Sequence, residues 1–199
     1  MKLKFNLIIF LVLGSFTAYS RPTPELTIGG SYYQKIIQVK DVIAEVLPPP
    51  AYIVESYLMT FLLLNEAERS MTDKKLSPRE LNVINKMVEH LRQLKEGVSE
   101  NAEQEGYYKR VEIWNKELNR PDEKLKTIRN LMIKSAEGPV KEFFSVVEMN
   151  FIPAIKAGDI KKAKSVQLLL NEKFLAHKAI IDEIIVLAKK MYLNSNLKH

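Results

Sequence analysis

The sequence predicts an all-α protein, an up-down-up-down four-helix bundle with long helices, the first of them bent at Pro48–Pro50. Three observations carry that prediction. Apolar residues recur at alternating steps of three and four along most of the chain, the spacing of helices buried along one side. Only 7 Gly and 9 Pro occur in 199 residues, and no long alternating run of Val, Ile and Thr is present, which argues against a sandwich or barrel. The candidate helices 31–70, 78–119, 121–157 and 159–196 are matched in length, each roughly 55–63 Å long. Short loops join them, so sequential neighbours run antiparallel. With 46% hydrophobic and 27% charged residues, one packed domain of this kind is well supplied with core.

The first helix carries Ile36, Val39, Ile43, Val46, Pro50, Ile53, Tyr57, Thr60, Leu64 and Ala67 on one stripe. The stripe keeps its phase through Pro48-Pro49-Pro50, which predicts one helix bent just before Pro48. A polar loop follows, and Ser77-Pro78-Arg79-Glu80 starts the second helix. Ser77 caps it, Pro78 takes the first helical position and Glu80 completes the capping box. The second stripe is Leu81, Ile84, Val88, Leu91, Leu94 and Val98. It resumes after the polar patch Ser99–Gly106 with Tyr107, Val111, Trp114 and Leu118. Asn119-Arg120-Pro121 turns the chain. The third stripe runs from Leu125 through Ile128, Met132, Ala136, Val140, Phe143, Val147 and Phe151 to Ala154, interrupted at Gly138-Pro139. Gly158-Asp159 ends that helix, and Asp159 can cap the fourth, which reads Ala163, Val166, Leu170, Phe174, His177, Ile181, Ile184, Ala188 and Met191.

Residues 1–20 have the grammar of a secretory signal peptide: basic Lys2 and Lys4, an apolar run from Phe5 to Phe16, then small residues at Ala18 and Ser20. Cleavage is expected before Arg21, and residues 21–30 read as a linker to the four-helix bundle over 31–199. The apolar run is shorter than a spanning helix needs, although an uncleaved membrane anchor is the alternative reading. The protein is thus expected outside the cytoplasm, periplasmic or extracellular. Without Lys2 and Lys4 the chain holds 28 basic against 24 acidic residues, and the surplus is scattered with no aromatic interleaving, so nucleic acid is not expected as a partner.

Catalytic equipment is sparse. The absence of Cys excludes disulfides, thiolate metal sites and a cysteine nucleophile. His90, His177 and His199 form no His-x-x-x-His or Glu-x-x-His pair, and neither a Gly-rich phosphate loop nor a Gly-x-Ser-x-Gly elbow exists. No enzymatic activity, metal or cofactor is therefore expected. What stands out is a level. Counted from the end that carries both termini, Pro48, the patch around Asn101, Pro139 and His177 fall at about the same height. Interior proline costs about 3 kcal/mol, and breaks gathered at one height suggest a widened section able to hold a small molecule. Tyr52, Glu55, Glu137 and His177 sit around it, with Tyr107, Arg110 and Trp114 one to three turns nearer the termini. Each has a second reading. His177 is a core histidine or a ligand group, Tyr52 a packing residue, Glu55 solvent-facing or inward, and Arg110 a group stacked on Tyr107 and Trp114.

Residues 41–58 read Asp-Val-Ile-Ala-Glu-Val-Leu-Pro-Pro-Pro-Ala-Tyr-Ile-Val-Glu-Ser-Tyr-Leu, followed in order by Tyr107-Tyr-Lys-Arg110, Trp114, Phe143-Phe144, Phe151-Ile-Pro-Ala154, Gly158-Asp159 and His177-Lys-Ala-Ile-Ile-Asp182. This series resembles the extracytoplasmic sensor domains of some methyl-accepting chemotaxis receptors, over about residues 30–190. The resemblance implies a four-helix ligand-binding domain, commonly dimeric, that recognises a small solute and signals to a membrane partner. Carried over residue by residue it favours Pro48, Pro49, Pro50, Tyr52, Glu55, Arg110, Trp114 and His177. Lys178 stands where the family often has Arg. The receptors continue into a second membrane span and a long coiled coil, whereas this sequence ends after Met191–His199. The expectation is a free-standing, non-catalytic sensor-like module that binds a small solute of unidentified chemistry, with a homodimer and a membrane receptor as the partners implied. A helical chaperone or adaptor of the envelope is the alternative.

Overall fold

In a computed structural model of the chain, residues 37, 53–70, 76–97, 106–119 and 122–196 are described. The chain divides into two compact units, Met1–Lys40 and Asp41–His199. In the first, Ile37 is helical and half-buried. All other described residues belong to the second; apart from caps and short turns they are helical, with no strand among them. The bend expected at Pro48–Pro50, the signal peptide, the linker and Tyr52 lie outside the described residues.

Helix α1 (Val54–Ser70) buries Ser56, Thr60, Leu63, Leu64, Ala67 and Ser70, so the predicted stripe is its inner face with two hydroxyls added. Helix α2 (Pro78–Glu96) starts at the predicted capping box. The Ser77 backbone N–H donates to Glu80 Oε2 at 2.7 Å, and the Glu80 N–H to Ser77 Oγ at 3.3 Å. Hydrogen bonding to Ser77 holds the Glu80 carboxyl below its usual range.

The second predicted helix is not continuous. It ends at Gly97, with φ 93°, and α3 (Tyr107–Glu117) begins after Gly106. A Cβ on Gly106 would stand 2.1 Å from the Gly97 nitrogen and 2.3 Å from the Glu96 carbonyl carbon, so the chain departs and returns at almost one point. Only glycine allows that approach.

Helix α4 (Glu123–Ser135) is capped by Asp122, whose Oδ1 accepts from the N–H groups of Lys124 and Leu125. A π turn (Ala136–Val140), α5 (Lys141–Val146), a second π turn (Val147–Phe151) and α6 (Ile152–Ala157) continue it. The predicted interruption is real: Gly138 has non-helical φ −98° and ψ −107°, and Pro139 follows. Proline at 139 cannot donate to the Ser135 carbonyl four residues back and its ring crowds that oxygen. The chain widens in response, and the Lys141 N–H reaches the Ala136 carbonyl, five residues back. The second π turn, ahead of Pro153, does the same with Ile152 N–H and Val147.

The α6 terminus is a Schellman turn. Gly158, at φ 72°, donates to the Ile155 carbonyl and Asp159 to that of Ala154. Asp159 then accepts from the Lys162 N–H at 2.9 Å, as expected of a cap for α7 (Ile160–Asn196).

Around Phe143, Phe144 and Phe151, all 2% exposed or less, gather Leu63 and Ala67 of α1, Ile84 and Leu91 of α2, Ile155 of α6, and Ala163 and Leu170 of α7. Each Leu, Ile and Phe among them contributes about 1.5–3 kcal/mol by leaving water. α1 and α7 run antiparallel, since Tyr57 meets Asn171, Thr60 meets Gln167 and Glu68 meets Lys164. Farther along α7, His177, Ile181, Ile184 and Ala188 are buried, and α7 there packs along α4. No described helix is long and apolar enough to cross a membrane.

Candidate functional site

Among the buried polar groups, His177 has no exposed surface. Its Nδ1 lies 2.7 Å from Oγ of Ser135, itself fully buried on the last turn of α4. The Tyr107 phenol is buried beside the same serine, and the Tyr107 ring stands edge-on to the imidazole at 6.1 Å. Three segments distant in sequence thus meet in one polar chain, Tyr107–Ser135–His177. The Ser135 hydroxyl donates to Nδ1 when the imidazole is the Nε2–H tautomer and accepts from it when Nδ1 carries the proton. Burial pushes the Tyr107 hydroxyl well above its usual 10, a shift that Ser135 and the nearby Arg110 charge oppose without cancelling. The chain abuts the helix break, because Ser135 immediately precedes the π turn.

The other sequence candidates distribute as follows. Arg110 is half-buried on α3, and its charge acts on Tyr107. Trp114 is buried two turns along α3, in the wall of a narrow cleft formed with α4. Glu55 is exposed at the start of α1. Glu137 is exposed in the π turn, 3.3 Å from Lys141 Nζ. The structure therefore brings Tyr107, Arg110 and His177 together and leaves Glu55 and Glu137 on the surface. Pro48, Pro49, Pro50 and Tyr52 fall outside the described residues.

Two groups of residues went unrecognised in the sequence. Ser135 follows Met132 at i+3 on the buried face of α4, so a polar residue inside the third stripe was the available signal. The second group joins α1 to α7. Tyr57 Oη donates to Asn171 Oδ1 at 2.7 Å, Gln167 Nε2 donates to Thr60 Oγ1 at 2.9 Å, and Thr60 donates to the Tyr57 carbonyl at 2.7 Å. The Tyr57 ring stacks on Phe174 at 4.3 Å. Gln167 Oε1 is buried with no hydrogen-bond partner.

Among the described residues no group of three or more His, Asp or Glu side chains is gathered as a metal site. Chemically, the Tyr107–Ser135–His177 chain can donate and accept hydrogen bonds in an apolar setting, which suits recognition of a polar group. Comparison with family models, with curated proteins and with solved structures finds no match to this chain.

Proposed function

We propose that the chain is a non-catalytic, exported solute-binding module of the chemotaxis-sensor type, an up-down-up-down four-helix bundle that engages a small molecule beside the broken third helix. The observation that carries this reading is the buried Tyr107–Ser135–His177 chain lying against the Gly138–Pro139 break. Buried polar groups cost stability unless bonded, and π turns and interior prolines cost backbone hydrogen bonds. Their coincidence at one place is more than a structural helix needs. Signal-peptide export, self-association and delivery of the signal to a membrane receptor belong to the same proposal, supported by the resemblance of residues 41–58 and the motifs that follow.

The test is a thermal-shift screen of the purified chain against amino acids, organic acids, amines, purines and metal ions. A ligand at about 100 times its Kd adds about 2.7 kcal/mol, several degrees for a domain of this size. The expected result is a specific hit that Ser135→Ala or His177→Ala abolishes and Glu55→Gln keeps. A flat screen on folded protein, or a hit indifferent to Ser135 and His177, refutes the reading.

One observation favours the chaperone or adaptor alternative. Leu58 and Phe61 of α1 and Leu168 and Leu175 of α7 are exposed by 53, 39, 69 and 51%, beside the antiparallel α1–α7 seam. That reading requires the chain to suppress aggregation of unfolded client proteins without any small ligand, and an inert result removes it.

A further inference from the structure

Helix α7 is apolar on two opposite faces. Its inner face buries Leu170, His177, Ile181, Ile184 and Ala188. On its outer face Leu168, Leu175, Val186 and Leu193 are each at least half exposed. At 3.6 residues per turn these four fall within about 20° of one line along the helix, and the line is roughly 38 Å long. The exposed Ala179 lies on it as well. Exposed apolar residues scattered singly need no explanation, but four in line between polar flanks form a seam for another helix.

The flanking charges distinguish the ways of covering that seam. Lys161, Glu172, Glu183 and Lys190 stand on one side of it, and Lys164, Asp182 and Lys189 on the other, all exposed. If a second copy of α7 lay parallel and in register, opposite sides would meet at equal height. Lys161 would then face the second copy's Lys164, Glu183 its Asp182 and Lys190 its Lys189, each a repulsion between like charges. If the second copy ran antiparallel, about a two-fold axis between Ile180 and Ile181, the same sides would meet. Leu168 would lie opposite the second copy's Leu193 and Leu175 opposite its Val186, each twice by symmetry. Glu172 would face the second copy's Lys190, again twice. Among the described residues neither of these two is in an ion pair within its own chain. Lys178 and Asp182, 2.6 Å apart within one chain, would meet the same pair of the second copy near the axis.

We propose that α7 packs antiparallel against α7 of a second copy of this chain through Leu168, Leu175, Val186 and Leu193, forming a weak symmetric dimer. The proposal gives a surface and a direction to the self-association included above, and in that respect rests on that reading. A seam of this length and about 10 Å wide covers on the order of 400 Å² on each copy. That is at the low end for a specific interface and sets a Kd on the order of 10–100 μM.

The sequence has no cysteine, so Leu175→Cys and Val186→Cys each place a single thiol on the seam. In the antiparallel pair residue 175 lies opposite residue 186 and roughly 16 Å along the axis from its own counterpart, beyond disulfide reach. Under mild oxidation an equimolar mixture of the two variants should therefore form the mixed disulfide at least about tenfold faster than either variant alone links to itself. Sedimentation equilibrium of the purified chain from about 5 to about 500 μM should show a monomer–dimer equilibrium. Leu175→Lys or Val186→Glu alone should raise the Kd at least about tenfold, and mixing the two should restore association by setting lysine against glutamate. A chain that stays monomeric throughout overturns the proposal, whether or not it holds unfolded clients. So does a dimer indifferent to Leu175→Lys, or disulfides that form fastest within each single variant, the mark of parallel pairing. If the charged variants fail to fold, the cysteine rates decide alone. A solute hit that depends on Ser135 and His177 survives every one of these failures, and a flat solute screen leaves a positive result here standing.

Discussion

Replacing Ser135 with Ala removes one oxygen, and the structure sets two buried polar groups beside that oxygen. Nδ1 of His177 loses a neighbour at 2.7 Å, and the Tyr107 phenol, 3% exposed, loses another. Neither can turn to water without opening the interface between α4 and α7. Leaving a buried polar group unsatisfied costs about 1–3 kcal/mol, so two such groups give about 2–6 kcal/mol. A serine with no buried partner would instead gain a few tenths from the better helix propensity of alanine. The two expectations differ in sign. Urea denaturation followed by circular dichroism separates them, and the melting temperature should fall by roughly 4–24 °C for a chain of this size. The partners must also act as a unit. In a double-mutant cycle with Tyr107→Phe, the combined cost should fall short of the sum by at least about 0.5 kcal/mol. A destabilisation below about 0.5 kcal/mol, or strict additivity in the cycle, would refute the buried chain as drawn.

Gly158→Ala forces a Cβ into the left-handed region at φ 72° and should cost about 1–2 kcal/mol in the same assay, with no change in secondary-structure content. Gln167 and Thr60 should respond with opposite signs. Gln167→Leu removes an acceptor that has no partner and should be neutral or stabilising, while Thr60→Val strips the remaining bond from a buried amide and should cost about 1–3 kcal/mol. The raised hydroxyl of Tyr107 predicts alkaline sensitivity. Below pH 10 both folded and unfolded chains keep this proton and stability is unaffected. Above it the unfolded chain releases the proton first, so stability falls by up to about 1.4 kcal/mol per pH unit from this group. Denaturation curves at about pH 9 and 11 should differ accordingly, and Tyr107→Phe should flatten the difference by that amount.

Local chemistry was readable from the sequence. The capping box at Ser77, the interruption at Gly138-Pro139 and the Gly158-Asp159 turn depend on neighbours within six residues, and each occurs where its residues predict. The apolar stripes likewise mark the buried faces of α1, α4 and α7. The break between α2 and α3 was hidden, because apolar residues recur at helical spacing on both sides of it, and only the close approach of Gly106 to Gly97 shows that the helix stops. His177 stood out as the one imidazole on its stripe, but its partner lies 42 residues away in sequence, a separation that no periodicity encodes. The bonds from Arg129 to Asn115 and Asn119 escaped notice for a related reason. The two asparagines, four apart on one helical face, acquire meaning only when the turn between α3 and α4 sets an arginine against them.

The polar contacts across helices also constrain how this chain can move. Gln167, Asn171 and His177 lie on α7 and bond to Thr60, Tyr57 and Ser135 on two different helices. Sliding α7 by one turn, about 5.4 Å, would break all three bonds at once and leave buried groups on both sides unsatisfied. Apolar contacts alone would tolerate such a slip far better, because a stripe of Leu, Ile and Ala repeats nearly unchanged from turn to turn. The polar contacts therefore set the register of α7, a role in which buried polarity is best attested. The third helix is built the other way. Between Ala136 and Phe151 its regular hydrogen bonds are already displaced by two π turns and by Pro139, and Gly138 has left helical geometry. Ser135 stands at the junction of these regions, with its side chain bonded to the fixed α7 and its carbonyl facing the broken turn. A ligand that competed for the Ser135 hydroxyl would loosen the rigid contact at the place where the backbone is least regular. That is where binding in this molecule could be converted into a change of shape.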